Sequence, residues 1–129
     1  MFTMELDLPD KELQKIMKTG ISVRLGLFKG VKEAMFYSEG KAKRNFGGAG
    51  QLQVRSGHLR RSIKTSVKEG IGEIVGNIGS NVIYAATHEF GDPSRNIPAR
   101  PFITPALTNN SIEIKRIIQK AIKREVDKR

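Results

Sequence analysis

The sequence predicts an α+β fold: a small, mostly antiparallel sheet packed against a long N-terminal helix and a C-terminal helix. Three observations predict it. Apolar residues recur at three- and four-residue steps through positions 10–40. A short stretch alternates strictly, with Ile63, Thr65 and Val67 set against Lys64, Ser66 and Lys68. A second apolar stripe at helical spacing runs from Ile114 to Val126. At 129 residues a single domain spanning 1–129 is expected.

In the first helix Leu13, Ile16, Met17, Gly20, Val23, Leu27, Val31, Ala34 and Met35 share one face. Pro9 suits a first helical position, and Asp10 favours the positive end of the helix dipole. Gly20, Gly26 and Gly30 oppose a helix by about 1 kcal/mol each relative to Ala. On a buried face, however, glycine lets another backbone come close. Gly40 is the expected end of this helix. Residues 41–55, KAKRNFGGAGQLQVR, are expected to form a flexible, basic, glycine-rich loop. Its FGGAG lacks the Lys and hydroxyl residue that complete a phosphate-binding loop.

SGHLRRSI reads as a short helix with Ser56 as its N-cap. Leu59 and Ile63 lie four apart and share its buried face, leaving Arg60 and Arg61 outward. The alternating strand follows, then a turn at EGIG and a second strand at EIVGNIGS, together an antiparallel hairpin. Two strands alone are marginal in water. A further strand is therefore expected, from SNVIY or from a neighbouring subunit. In the last helix Ile114, Ile117, Ile118, Ala121, Ile122 and Val126 form the apolar stripe. Two starts fit it: Thr104 as cap with Pro105 at the first position, or Asn110 with Glu113 as a capping-box-like pair.

The formal net charge is +10, concentrated in two blocks. Residues 41–70 sum to +7 and residues 111–129 to +4, whereas residues 1–40 sum to zero. Such blocks either keep a surface solvated or attract polyanions. No cysteine is present, which excludes disulfides, thiolate metal sites and a Cys nucleophile. No apolar run approaches the roughly 20 residues that cross a bilayer, and no membrane partner is expected. The acidic stretch MFTMELDLPD does not read as a signal peptide.

The segment YAATHEFGDPSRNIPARPFITPAL, residues 84–107, has no regular period and carries the candidate site. His88 and Glu89 begin a zinc-protease pattern, but position 92 is Asp where the second His belongs. No serine sits in a nucleophile elbow and no carboxylates pair. No catalytic residue, metal ligand or cofactor is expected. An architectural reading accounts for more residues. Gly91 turns the chain through a positive φ, and Asp92-Pro93 extends the turn. Pro98 and Pro101 hold Ala99 and Arg100 extended. Arg100 is expected to reach Glu89 in a forked ion pair, with Phe102 and Leu107 as apolar anchors.

Gly57, Leu59, Arg60, Ser62 and Ile63, then Tyr84, Ala85, Glu89, Phe90 and Gly91, then Ala99, Arg100, Pro101, Phe102, Pro105 and Ala106 occur in that order. Over about residues 55–107 the chain resembles the neck and tail-completion proteins of tailed bacteriophages. That family is also described as head–tail joining, virion morphogenesis or minor tail proteins. The resemblance implies a structural, non-enzymatic virion protein of a phage or prophage, at the head–tail junction, as a subunit of a neck or tail-completion ring. The implied partners are further copies of the chain and other connector or tail proteins. The implied location is the virion, and the host cytoplasm during assembly. It also gives the basic residues a role: Lys41, Lys43, Arg44, Arg55, Arg60 and Arg61 would dock on a neighbouring ring or face DNA in the channel. The alternative is a small basic nucleic-acid-binding domain, although no aromatic residues interleave with the basic ones as stacking platforms.

Overall fold

The computed structural model describes residues 2–6, 20–48, 57–70 and 73–128. Its elements in chain order are strand β1 (Phe2–Leu6), helix α1 (Ile21–Arg44), helix α2 (His58–Ser62), strands β2 (Lys64–Gly70) and β3 (Glu73–Ser80), and helix α3 (Ala85–Phe90). A single 3₁₀ turn (Pro93–Arg95) and helices α4 (Thr104–Thr108) and α5 (Ser111–Val126) complete it. The α+β reading holds.

The central element is α1, and it is buried on more than one side. Toward α5 it presents small residues at four-residue steps: Gly26, Gly30, Ala34, Ser38 and Ala42, all buried. This row lets two backbones nearly touch. A methyl group placed on Gly26 would lie 2.7 Å from the Ile122 Cα, and one on Gly30 would lie 2.9 Å from the Ile118 Cα. The glycines that weaken the helix locally are thus the ones its packing requires. The row also explains why α1 does not stop at Gly40. Ala42 belongs to the buried row, so the helix continues one more turn and ends at Asn45. Lys41, Lys43 and Arg44 occupy that last turn, where the helix dipole favours cations. The expected loop at 41–55 is therefore corrected: 41–44 are helical, and 49–56 lie outside the described residues. The expected helical stretch at 10–19 also lies outside them.

A neighbouring face of α1 covers the sheet. Val31 and Met35 are buried there, and a methyl group on Gly76 of β3 would meet the Met35 sulfur at 2.7 Å. The sheet is antiparallel with β3 in the middle, in the order β1-β3-β2. On one side β3 pairs with β1 in the register Phe2↔Ser80 to Leu6↔Gly76. On the other it pairs with β2 in the register Lys64↔Gly79 to Gly70↔Glu73. The alternation read in β2 is observed: Thr65 and Val67 are half-buried, while Lys64, Ser66 and Lys68 are exposed.

The third strand comes from Phe2–Leu6, not from SNVIY. After Ser80 the chain turns because the Ser80 hydroxyl takes two bonds. It accepts from the Val82 amide at 3.1 Å and lies 2.6 Å from the Ser62 hydroxyl. The Ala85 amide then donates to the Val82 carbonyl and α3 begins. At the C-terminus two helices follow in succession where the sequence predicts one, and neither expected side-chain cap forms. α4 carries Pro105 in its first turn, and Asn110 is the N-cap position of α5, with its side-chain amide turned back to the Ala106 carbonyl. Ile114, Ile118, Ala121 and Ile122 are buried as the stripe requires, whereas Val126 is largely exposed.

Near the end of α5 the buried carboxylate of Glu125 accepts from Lys29 Nζ at 2.7 Å and Lys128 Nζ at 3.1 Å. These bonds hold its carboxyl below its ordinary 4.5, the Lys29 bond contributing most. The Lys29 contact ties α1 to α5 electrostatically at the end of their seam.

The packing yields a paired prediction. Gly26→Ala and Gly30→Ala should each destabilise the fold by about 1–3 kcal/mol through overpacking, although alanine is the better helix former. Gly40→Ala, with nothing within 4 Å of the added methyl, should stabilise it by about 0.5–1 kcal/mol. Urea unfolding midpoints of the three variants check both signs.

Candidate functional site: a braced segment around Glu89

Residues 84–107 form a brace between the sheet and α5, and its centre is one carboxylate. α4 begins at Thr104, and its N-cap position is Ile103, whose side chain accepts no hydrogen bond. The first amides of a helix lack partners within it, and burial makes that costly. Glu89 supplies the acceptor from another helix. Its Oε2 accepts from the amides of Phe102 at 2.8 Å and Ile103 at 3.0 Å, and its Oε1 accepts from Thr104 at 2.6 Å. Glu89 is 3% exposed. Negative charge at the positive end of a helix adds to these bonds.

The expected ion pair between Arg100 and Glu89 is therefore absent. Arg100 is exposed, and its amide, not its guanidinium, joins the brace by donating to the His88 carbonyl at 2.8 Å. Three backbone donors reach the carboxylate in its place. His88 and Glu89 diverge as well. They are consecutive on α3, Glu89 turns inward, and the His88 ring packs edge-on against Tyr84 with centroids 5.6 Å apart.

Gly91 ends α3 with φ 75°. A methyl group there would sit 2.7 Å from the Ala99 nitrogen and 2.9 Å from the Ile97 carbonyl oxygen, so the two legs of the loop meet over this residue. The loop is closed by reciprocal backbone bonds between Asp92 and Ile97, at 2.8 and 2.9 Å. Asp92 organises its tip. Oδ1 accepts from the Ser94 amide at 3.1 Å and the Ser94 hydroxyl at 2.6 Å, and Oδ2 lies 2.6 Å from Arg95 Nε. The bonds from Ser94 and then Arg95 hold the Asp92 carboxyl below its ordinary 3.8.

The remaining candidate residues fall as follows. Gly57 precedes α2 with φ 77°, Leu59 is buried in the core, and Pro101 is exposed. Phe102 is fully buried, with its ring 5.3 Å from that of Phe46. Its carbonyl accepts from Asn45 Nδ2 at 3.0 Å, which fastens the brace to the end of α1. The described members of the basic group lie on two helices, α1 and α2. Lys41 lies over the Tyr37 ring, Lys43 pairs with Glu39, Arg60 and Arg61 project from α2, and Arg55 is outside the described residues. Sequence reading placed Asp92 in the turn but not its bonds to Ser94 and Arg95; it missed Asn45, and that Ile83, Tyr84 and Phe90 stand at 98%, 46% and 61% exposure. The Asp92-Pro93-Ser94 string carries a local capping signal that reveals the first. No local signal reveals the others.

Among the described residues, no three of His, Asp and Glu gather as a metal ion would need. What the segment offers is shape: a rigid backbone with apolar and basic side chains facing outward.

A family model describing phage virion morphogenesis proteins matches residues 34–126, from the middle of α1 to the end of α5. The chain belongs to the phage virion morphogenesis family. Membership points to a structural or assembly role in a phage virion. An uncharacterized protein of Methanocaldococcus jannaschii is 38% identical over 71 residues, which are 55% of this chain and 53% of that protein. The chain thus spans about half the length of this curated relative. No solved structure matches it.

Two predictions test the brace. Glu89→Ala should cost about 3 kcal/mol or more, since it leaves three amides without their acceptor. Arg100→Ala should change stability by less than about 0.5 kcal/mol; thermal melts of the two variants measure the contrast. For Asp92 the sign follows from its lowered pKa. Its contribution is fully present above about pH 3.8 and is lost as pH falls through the lower folded value. Stability of the wild type relative to Asp92→Asn, followed by denaturant titration from pH 6 to 2, should converge at the acid end.

Proposed function

We propose that the chain is a tail-completion or neck subunit that joins phage head to tail, working as a ring of identical copies. The observation that carries this reading is the braced segment. Glu89, Gly91 and Asn45 fix its backbone from three directions, and it presents Ile83, Tyr84 and Phe90 to solvent. Ordering a surface before docking lowers the entropic cost of association. On α1 a second, unlike surface carries Leu25 and Phe36, 43% and 58% exposed, with the exposed Lys29 and Lys32 between them. Two unlike surfaces on one chain suit a head-to-tail contact, in which each copy offers one surface and receives on the other. Such contacts close into rings when the rotation between copies allows. Family membership supports the virion setting, and the order of the motifs over residues 55–107 supports the junction within it.

The test is genetic and visual. Deleting the gene should leave DNA-filled heads and finished tails unjoined in electron micrographs of lysates. Intact virions, or heads with no tails assembled at all, would place the chain elsewhere. The double variant Ile83→Ser and Phe90→Ser should remain folded with a melting temperature within a few degrees of wild type, since the two residues are 98% and 61% exposed. It should fail to restore joining, with virion yield reduced at least tenfold.

A further inference from the structure

We propose that the outer face of α5 is a binding surface for the phosphate backbone of double-stranded DNA. The inner face of this helix is fixed against α1 through Ile114, Ile118, Ala121 and Ile122, at backbone-contact distance from Gly26 and Gly30. The opposite face is consequently rigid and directed to solvent. Arg116, Lys120 and Lys123, at positions i, i+4 and i+7, run along its middle, and Lys115 and Arg124 flank them. All five are exposed. From Lys115 to Arg124 the rise is roughly 14 Å, the length of about four base pairs.

Among the described residues Lys115, Lys120 and Lys123 form no ion pair. Arg116 and Arg124 do, with Glu113 and Glu33, but these pairs are largely in solvent and a phosphate can replace the carboxylate. The inner packing decides which residues point outward, and it leaves three lysines there without neutralising partners. A chain of net charge +10 pays electrostatic self-repulsion for such a row.

The chemistry of the row distinguishes between polyanions. The exposed residues from Lys115 to Arg124 are Lys115, Arg116, Gln119, Lys120, Lys123 and Arg124, with no aromatic or apolar member among them. Protein interfaces draw most of their energy from buried aromatic and apolar anchors; between Lys115 and Arg124 the face has none, and one exposed apolar residue, Ile112, stands a turn before it. Single-stranded nucleic acid is held by stacking on aromatic rings, which the row also lacks. A polar, positive, regularly spaced surface fits the evenly charged duplex backbone and reads no sequence. The site differs from the 41–61 basic group expected from sequence, whose described members lie on α1 and α2. It is independent of the head-to-tail reading above and can fail while that reading stands.

The experiment titrates the full chain against a fluorescein-labelled 30-base-pair duplex of random sequence, by anisotropy, at 50 and 200 mM salt. With three to four phosphates neutralised, affinity should fall about 40–150-fold between the two salts. The variant Lys115→Gln, Lys120→Gln, Lys123→Gln should bind at least tenfold more weakly at 50 mM and lose most of that salt dependence. The control Lys32→Gln, Lys64→Gln, Lys68→Gln, which removes equal charge from exposed positions on the sheet side, should bind within threefold of wild type. In the wild-type protein, DNA should protect Lys115, Lys120 and Lys123 from reductive methylation more than Lys64 and Lys68; this readout needs no variant to fold. Equal weakening by both triple variants would show diffuse attraction and overturn the assignment. So would salt-independent binding, absent lysine protection, or competition by poly-glutamate equal to that by unlabelled duplex.

Discussion

The fold depends on one constraint: α1 and α5 approach until their backbones touch. Gly26 and Gly30 make this physically possible, since any side chain there would occupy the position of Ile122 or Ile118. Once that seam closes, the other elements have few choices. Val31 and Met35 are turned onto the sheet, and the row of small residues carries α1 through Ala42. Asn45 is thereby delivered to the Phe102 carbonyl. The helix penalty of two glycines is the local cost of a tertiary contact that a better helix former cannot make.

The brace around Glu89 solves a different problem. A short helix that begins on a buried, apolar residue has donors and no local acceptor. A carboxylate from the preceding helix satisfies three of them in one place. The same arrangement explains why an acidic residue sits inside a basic protein: it is spent on backbone amides and is unavailable to ligands. A Glu beside a His in an aperiodic segment invites a reading as chemistry. Here the pair is divided, one side chain turned into the brace and the other packed against Tyr84. The outcome is a backbone tied at both ends, with Tyr84 and Phe90 directed outward.

Charge is distributed by the same packing. The sequence places most of its excess cations between residues 41 and 70, and those the structure describes lie on the end of α1, on α2 and on β2. The smaller excess in residues 111–129 lies on one helix with a buried inner face, so its cations line up. A helix sorts its residues by angle, so burial of one face of α5 gathers its cations on the other.

The sequence by itself determined the α+β class, the hairpin of β2 and β3, the buried stripe of α5 and the turn at Gly91. Each rests on a periodicity or a backbone preference that acts over a few residues. It also carried the ordered motifs that mark the family. Tertiary structure alone decided that Phe2–Leu6 supplies the third strand and that α1 passes through Gly40. It also decided that Glu89 accepts backbone amides in place of Arg100. These outcomes depend on partners up to 78 positions away in sequence, as in the pairing of Phe2 with Ser80. No local pattern states which distant donor, edge or backbone will arrive first; that is settled only when the core closes and every buried polar group must find a partner.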